Sequence, residues 1–299
     1  MTTSRATDLE SDGDSAEVAA ACVAAESAAR ASAVTVRQLD VLDELALVRP
    51  LIDRIWRNDA TNPVVTTDLL RAMTKAGSYV CGAFDDDTLV GVCLGFFAEP
   101  GRRSLHSHIA GVTPAVAGRS VGFALKLHQR AWAIQRGAGE ISWTYDPLVR
   151  RNAYFNIAKL GAEPAEYLTN FYGPLHDEIN GTEDTDRILV SWRLDAPEVV
   201  AACAGQRQPG SAARARELGA SVALDISSVG VPVAGSDTAP TVLVAVPPDI
   251  ERLRRQDPRT ATTWRAALRE VLGGVLADGA RVRGFDPAGW YIVDRKDEQ

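Results

Sequence analysis

The sequence predicts an α/β protein: a mixed-sheet domain followed by a second, smaller α/β unit. Three observations point there. From Val34 onward, strand-like and helix-like hydrophobic periods follow one another in the order β-α-α-β-β-β-α-β-α-β. One strand, Leu105 to Val112, feeds a small-residue turn that opens a long amphipathic helix. A fresh set of short apolar runs begins beyond Asp195, after a strand-like run at Ile188 to Leu194 that closes the first domain.

Residues 1–33 are Ala, Ser, Thr, Asp and Glu with almost no large apolar side chains, so a disordered tail is expected there. Val34 to Leu39 has the composition of a strand. Leu42, Leu45, Val48, Leu51, Ile52, Ile55 and Trp56 recur at helical spacing, and Thr67-Asp68 can cap a second short helix. Tyr79 to Phe84 and Leu89 to Ala98 form a hairpin signal around Asp85-Asp86-Asp87. Behind the featured helix come a strand at Glu140 to Tyr145, a helix from Val149 to Leu160 stopped by Gly161, and a strand at Ala165 to Tyr172. The first domain is thus placed at 34–195 and the second at 196–299. In the latter, Val222 to Ile226, Thr241 to Val246, Val282 to Phe285 and Trp290 to Val293 are strand-like, and Asp249 to Gly279 is one long helix or two. It carries no phosphate-loop signature, so a packing, dimerisation or acceptor-wall role is expected.

Composition narrows the function. The net charge of −7 and pI of about 5.2 argue against general nucleic-acid binding. No segment approaches the roughly 18 apolar residues of a membrane span. The acidic N-terminus does not have the pattern of a signal peptide, so a cytoplasmic protein is expected. Cys22, Cys81, Cys93 and Cys203 show neither Cys-x-x-Cys nor a His/Cys ligand spacing, which leaves no disulfide framework and no metal site. A homodimer is left open.

Val112-Thr113-Pro114 leads through Arg119, Ser120, Val121, Gly122, Phe123 and Ala124 into a helix with Leu125, Leu127, Ala131, Trp132 and Ile134. A strand–turn–helix start lines up free N–H groups at the positive end of a helix dipole, which suits phosphate or pyrophosphate. The spacing Arg119-x-x-Gly122-x-Ala124, with its strand, its helix and the element order, resembles the GNAT superfamily of N-acyltransferases over roughly Val34 to Leu194. The resemblance implies acetyl-CoA or another acyl-CoA as donor, held by Val112 and residues 119–124. It extends to Trp143-Thr144-Tyr145-Asp146-Pro147-Leu148 and the helix Arg150 to Leu160. Two departures stand out: Ala162 replaces the aromatic that usually follows the glycine, and the usual leaving-group tyrosine falls at Ile157. Tyr154, one turn earlier, is the substitute acid or a core-edge aromatic. Asn152 and Asn156, at i and i+4, are placed on one helix face, where they bond pantetheine amides or backbone.

Amide formation needs a base with a pKa near neutrality. His106 and His108 alternate on one strand and so share a face. His108 falls where the superfamily often places a catalytic carboxylate, which makes it the first base candidate, with His106 binding substrate. Half-buried, hydrogen-bonded strand histidines are the competing explanation. Glu99 is a second base candidate. Arg102-Arg103 and Arg150-Arg151 match a carboxylate on either substrate or are plain solvated surface. His128 and His176 are read as structural or exposed, and Asn170-Phe171-Tyr172-Gly173 as pocket wall or core. The sum is an acyl-CoA-dependent N-acyltransferase acting by direct attack of a small-molecule amine, with an oxyanion donor on the backbone between splayed strands. Further pieces, among them Ser107-His108 and Lys159-Leu160-Gly161, resemble a two-part bacterial branch of the superfamily linked in part to N-acylamino acid metabolism. That implies an amino acid as one acceptor class. A non-catalytic acyl-CoA sensor or structural protein is the first rival. A nucleotide-binding module is the second, although Gly-x-x-x-x-Gly-Lys-Ser/Thr is missing from the chain.

Overall fold

Alternating apolar residues and acidic or glycine turns build an antiparallel sheet that delivers its last strand to the loop of interest. The computed structural model describes residues 4–56, 64–173 and 184–296. The chain splits into two compact units, Met1–Ser142 with Arg193–Asp195, and Trp143–Trp192 with Ala196–Gln299. The boundary expected at Asp195 is therefore corrected: it falls within a strand at residue 142.

The first unit contains α1 (Ser4–Ala31), β1 (Thr35–Gln38), α2 (Leu42–Trp56), α3 (Thr67–Lys75), β2 (Tyr79–Asp85), β3 (Thr88–Phe97), β4 (Ser104–Val112), α4 (Val121–Ile134) and the start of β5 (Glu140–Tyr145). Its strands lie in the order β1-β2-β3-β4-β5. All neighbours are antiparallel except β4 and β5, which run parallel from Ser104↔Glu140 to His106↔Ser142. On one face, Leu45, Val48, Leu51 and Ile52 of α2 and Leu70 of α3 pack against Val80, Val92, Leu94 and Ile109. On the other, Trp132 of α4 meets Tyr79 edge to face, with ring centroids 5.0 Å apart.

The segment expected as a disordered tail is the helix α1. Ala21 and Ala25 are buried in it, and it lies against α4. Small side chains bury little area each but let two helix backbones approach closely, a packing mode that a search for large apolar residues overlooks. Gln135 Nε2 donates to Cys22 Sγ at 3.1 Å across this contact.

A β-bulge sets the faces of β4. Leu94 pairs with Ile109 and Gly95 with Ser107, so His108 is the extra residue. Ahead of it, Ser107 meets Lys126 of α4. Beyond it, Ile109 joins the α2 core, and a Cβ on Gly111 would lie 2.2 Å from the Trp56 ring.

The second unit contains the end of β5, α5 (Arg150–Ala153), a π-helical segment at Tyr154–Lys159, β6 (Glu163–Leu168) and β7 (Arg187–Arg193), in strand order β5-β7-β6. It continues with α6 (Pro197–Cys203), α7 (Ala212–Glu217), β8 (Ser221–Ile226), β9 (Pro232–Ala234), β10 (Thr241–Ala245), α8 (Ile250–Gln256), α9 (Pro258–Leu268), a π-helical turn at Arg269–Gly273, α10 (Gly274–Ala277), β11 (Arg281–Asp286) and β12 (Trp290–Asp294). The second sheet has the order β11-β12-β10-β8-β9. Asp257 caps α9 and Pro258 opens it, which divides the long helix expected there.

Residues 143–192 belong with the C-terminal part because they share its core. Tyr291 OH donates to the Pro147 carbonyl at 2.8 Å and lies 3.3 Å from Tyr145 OH. Asp146, fully desolvated, takes Arg254 at 2.7 Å and Arg265 at 2.8 and 2.9 Å. Among the described residues, no helix is long and apolar enough to cross a membrane.

Candidate functional site

β4 ends at Val112, and a tight turn at Pro114–Val116 follows. Gly118 (φ +83°) and Ser120 (φ +61°) then both take left-handed conformations before α4 starts at Val121. The N–H groups of Ala117 and Arg119 close back onto Pro114 and Val116, and those of Phe123 and Ala124 onto Ser120. The N–H groups of Gly118, Ser120, Val121 and Gly122 meet no acceptor among the described residues. Successive N–H groups around left-handed residues form an anion-binding concavity, and the 14-residue helix adds its positive end.

The predicted loop residues thus divide. Ser120, Val121 and Gly122 offer free donors, whereas the N–H groups of Phe123 and Ala124 are spent inside the helix start. Arg119 is an anchor: its guanidinium takes Asp85 at 2.6 and 3.1 Å and the carbonyls of Ser32 and Ala33. That contact raises the Arg119 pKa and lowers that of Asp85. Gly118, absent from the sequence prediction, was legible as a glycine two residues before a polar helix start.

His106 and His108 share a face as expected, with ring centroids 6.2 Å apart and both close to Phe96, at 5.3 and 6.0 Å. His106 Nδ1 lies 3.3 Å from Ser142 Oγ. Partial burial lowers the pKa of both, and for His106 the neighbouring His108 and Lys126 lower it further. Both rings are therefore shifted toward the neutral form, which is able to accept a proton. From His108 to Val112 the strand covers roughly 13 Å, which separates the bases from the anion cradle.

Behind the strand, Lys126 is buried within α4. Its ammonium donates to Ser107 Oγ at 3.1 Å and Gln129 Oε1 at 2.7 Å. Burial pushes its pKa down to about 8, opposed by Cys93. Nothing in the hydrophobic pattern flagged it, since a lysine on a helix is ordinarily solvated. His128 is structural. The buried Tyr79 hydroxyl, its pKa raised by desolvation, lies 2.9 Å from Nδ1, and burial lowers the imidazole pKa to about 4.

Tyr154, Asn152 and Asn156 belong to the second unit. Tyr154 is half-buried at the head of the π-helical segment. Asn152 remains half-buried, while Asn156 is buried and its Oδ1 accepts from Trp143 Nε1 at 3.1 Å. The arginine pairs are all engaged: Arg102 with Glu99, Arg103 with the Gly137 carbonyl, Arg150 with the Pro287 carbonyl and Arg151 with Glu251. Asn170 Oδ1 accepts from Thr185 N at 3.2 Å, so that amide pins its own loop. His176 lies outside the described residues. No group of three or more His, Cys, Asp or Glu among the described residues could hold a metal ion.

No family model matches the chain, and no curated protein matches it in sequence. Solved structures do match in fold. A ribosomal-protein-S18-alanine N-acetyltransferase from Escherichia coli is 14% identical, covering 55% of this chain and 95% of its own, at a TM-score of 0.44. A GNAT-family acetyltransferase from Streptococcus pneumoniae is 11% identical, covering 53% and 98%, at 0.45. A spermidine N-acetyltransferase variant from Vibrio cholerae is 14% identical, covering 54% and 93%, at 0.42. Each of these matches spans about half of this chain, whose C-terminal part contains a second sheet.

Proposed function

We infer that this chain is an acyl-CoA-dependent N-acyltransferase that moves an acetyl or related acyl group to the amine of a small molecule, an amino acid among the candidate acceptors. One observation carries the inference: four backbone donors at Gly118, Ser120, Val121 and Gly122 lie without internal acceptors in the loop and first turn of α4. They fit a pyrophosphate in charge and in number of donors.

The donor thioester supplies an activated carbonyl. His108, with His106 beside it, takes the proton of the attacking amine, a task suited to an imidazole that is neutral at working pH. The amine nitrogen bonds to the carbonyl carbon, and the carbon–sulfur bond then breaks. Tyr154 is proposed to return a proton to the thiolate, on the strength of its sequence position alone. None of the described cysteines suggests a covalent intermediate. Cys81 and Cys93 are buried with raised thiol pKa values, and burial is the main cause in both.

Calorimetric titration with acetyl-CoA, succinyl-CoA, CoA, ATP and NAD, repeated on Gly122→Trp, tests the donor site. CoA-specific binding that is lost in the variant is expected. Absence of CoA binding, or preference for ATP or NAD, overturns the reading. CoA binding without turnover across a broad amine screen leaves a sensor in place of an enzyme.

A further inference from the structure

A cavity of about 310 Å³ lies wholly within the second unit, beside the 206–211 connection, α7 and β11. Arg207, Arg214 and Arg283 line it, and no carboxylate does among its described lining residues. In a chain of net charge −7, that concentration of cations runs against the overall balance. The rest of the wall is largely apolar. Phe285 and Ile292 are buried, and Leu218 stands 65% exposed at the rim.

The three cations are held differently. Arg214 pairs with Glu217 at 2.9 Å and Arg283 with Asp294 at 3.6 Å, all four side chains being largely solvated. Such exposed pairs are weak and easily exchanged. Arg207 is half-buried, and its guanidinium meets no hydrogen-bond acceptor among the described residues. It lies against Gly161, where a Cβ would come within 2.8 Å of its Nη1, so glycine at that position makes room for it. Desolvation lowers its pKa, and the charge of Glu198 of α6 opposes this. A half-desolvated guanidinium above an apolar floor is an incomplete ion pair.

We propose that this cavity binds a small organic carboxylate, with the carboxylate on the Arg207 fork and the apolar body on Leu218, Phe285 and Ile292. Guanidinium matches a carboxylate through two parallel hydrogen bonds. The apolar floor favours a ligand with a hydrocarbon body over a bare inorganic anion. The volume equals that of about ten water molecules, enough for a benzoate or hexanoate and at the small end of ligand sites. The site is separate from the anion cradle at α4 and does not depend on the acyltransfer reading.

The test is ligand-observed NMR and calorimetric titration of the full chain with hexanoate, benzoate, hexanol, hexylamine and inorganic phosphate. Saturable binding of the two carboxylates, and not of hexanol or hexylamine, is expected. Arg207→Gln should weaken it at least about tenfold, and Arg207→Lys should weaken it less. Melting curves of the variants control for folding. If Arg207→Gln does not fold, cross-saturation from wild-type Phe285 and Ile292 to bound hexanoate decides the matter. No saturation by either carboxylate, unchanged affinity in folded Arg207→Gln, or phosphate binding as tight as hexanoate overturns the proposal.

Discussion

The ammonium of Lys126 donates at 3.1 Å to the hydroxyl of Ser107, the strand residue that separates His106 from His108. A buried cation thus braces the β4 bulge from the α4 side. It also helps keep the neighbouring imidazole of His106 deprotonated.

This lysine should make stability rise with pH. Its folded pKa of about 8 lies below the ordinary lysine value of 10.5. Between the two, the unfolded chain binds more protons, so the penalty of the buried charge is full below about pH 8 and relieved as pH climbs toward 10.5. The span corresponds to about 3 kcal/mol. Urea midpoints at pH 7 and pH 10 should differ more for wild type than for Lys126→Met, and equal differences would show that the ammonium is not desolvated.

The histidine pair should give an acidic limb below the ordinary imidazole range. Both pKa values are lowered, chiefly by burial, so the basic forms persist as pH falls through 6.5. On the acyltransferase reading, kcat/KM stays level to below that pH, and Lys126→Met moves the limb upward for any step carried by His106. His108→Gln should cost about 10²–10⁴-fold in kcat. A limb at or above pH 6.5, or full activity in both single histidine variants, removes them from the chemistry.

The left-handed loop residues should respond in opposite directions. Ser120 holds φ at +61°, where a Cβ costs about 1–2 kcal/mol. Ser120→Gly should therefore raise stability by roughly 0.5–1 kcal/mol after the entropy of the added glycine, with donor binding retained. Gly118→Ala at φ +83° should lower stability by about 1–2 kcal/mol. Thermal melts of the two variants check both signs.

Asp146 should be among the costliest single positions of the second unit. Burial works against its charge, but Arg265 and Arg254 outweigh burial and hold the carboxyl well below the usual range. A depressed carboxylate contributes stability above its unfolded pKa of about 3.9 and loses it as pH falls through the folded value. Asp146→Ala should cost about 3–5 kcal/mol by leaving buried guanidiniums without that partner. A loss under 1 kcal/mol by chemical denaturation would contradict the burial.

Much of this was legible beforehand. The strands and helices from Val34 to Leu194 follow from hydrophobic period and turn chemistry, and the histidines share a face because strands alternate. The loop announced itself through Val112 to Ala124, although which N–H groups stay free depends on two positive φ angles that spacing does not specify. Three features were hidden for physical reasons. Alanine packing in α1 buries little area per residue, so it resembles a solvated tail. The π-helical turn at Tyr154–Lys159 has the same composition as an α-helix but a different phase. The role of Asp146 depends on arginines more than a hundred residues away.

Those distant arginines bear on how the chain can be cut. The last third is not a removable bead. A truncation at Asp195 would strand Asp146 without Arg254 and Arg265, and would uncover Tyr145 where Tyr291 now lies. Fragment expression and domain swaps designed on the sequence boundary should therefore give insoluble products.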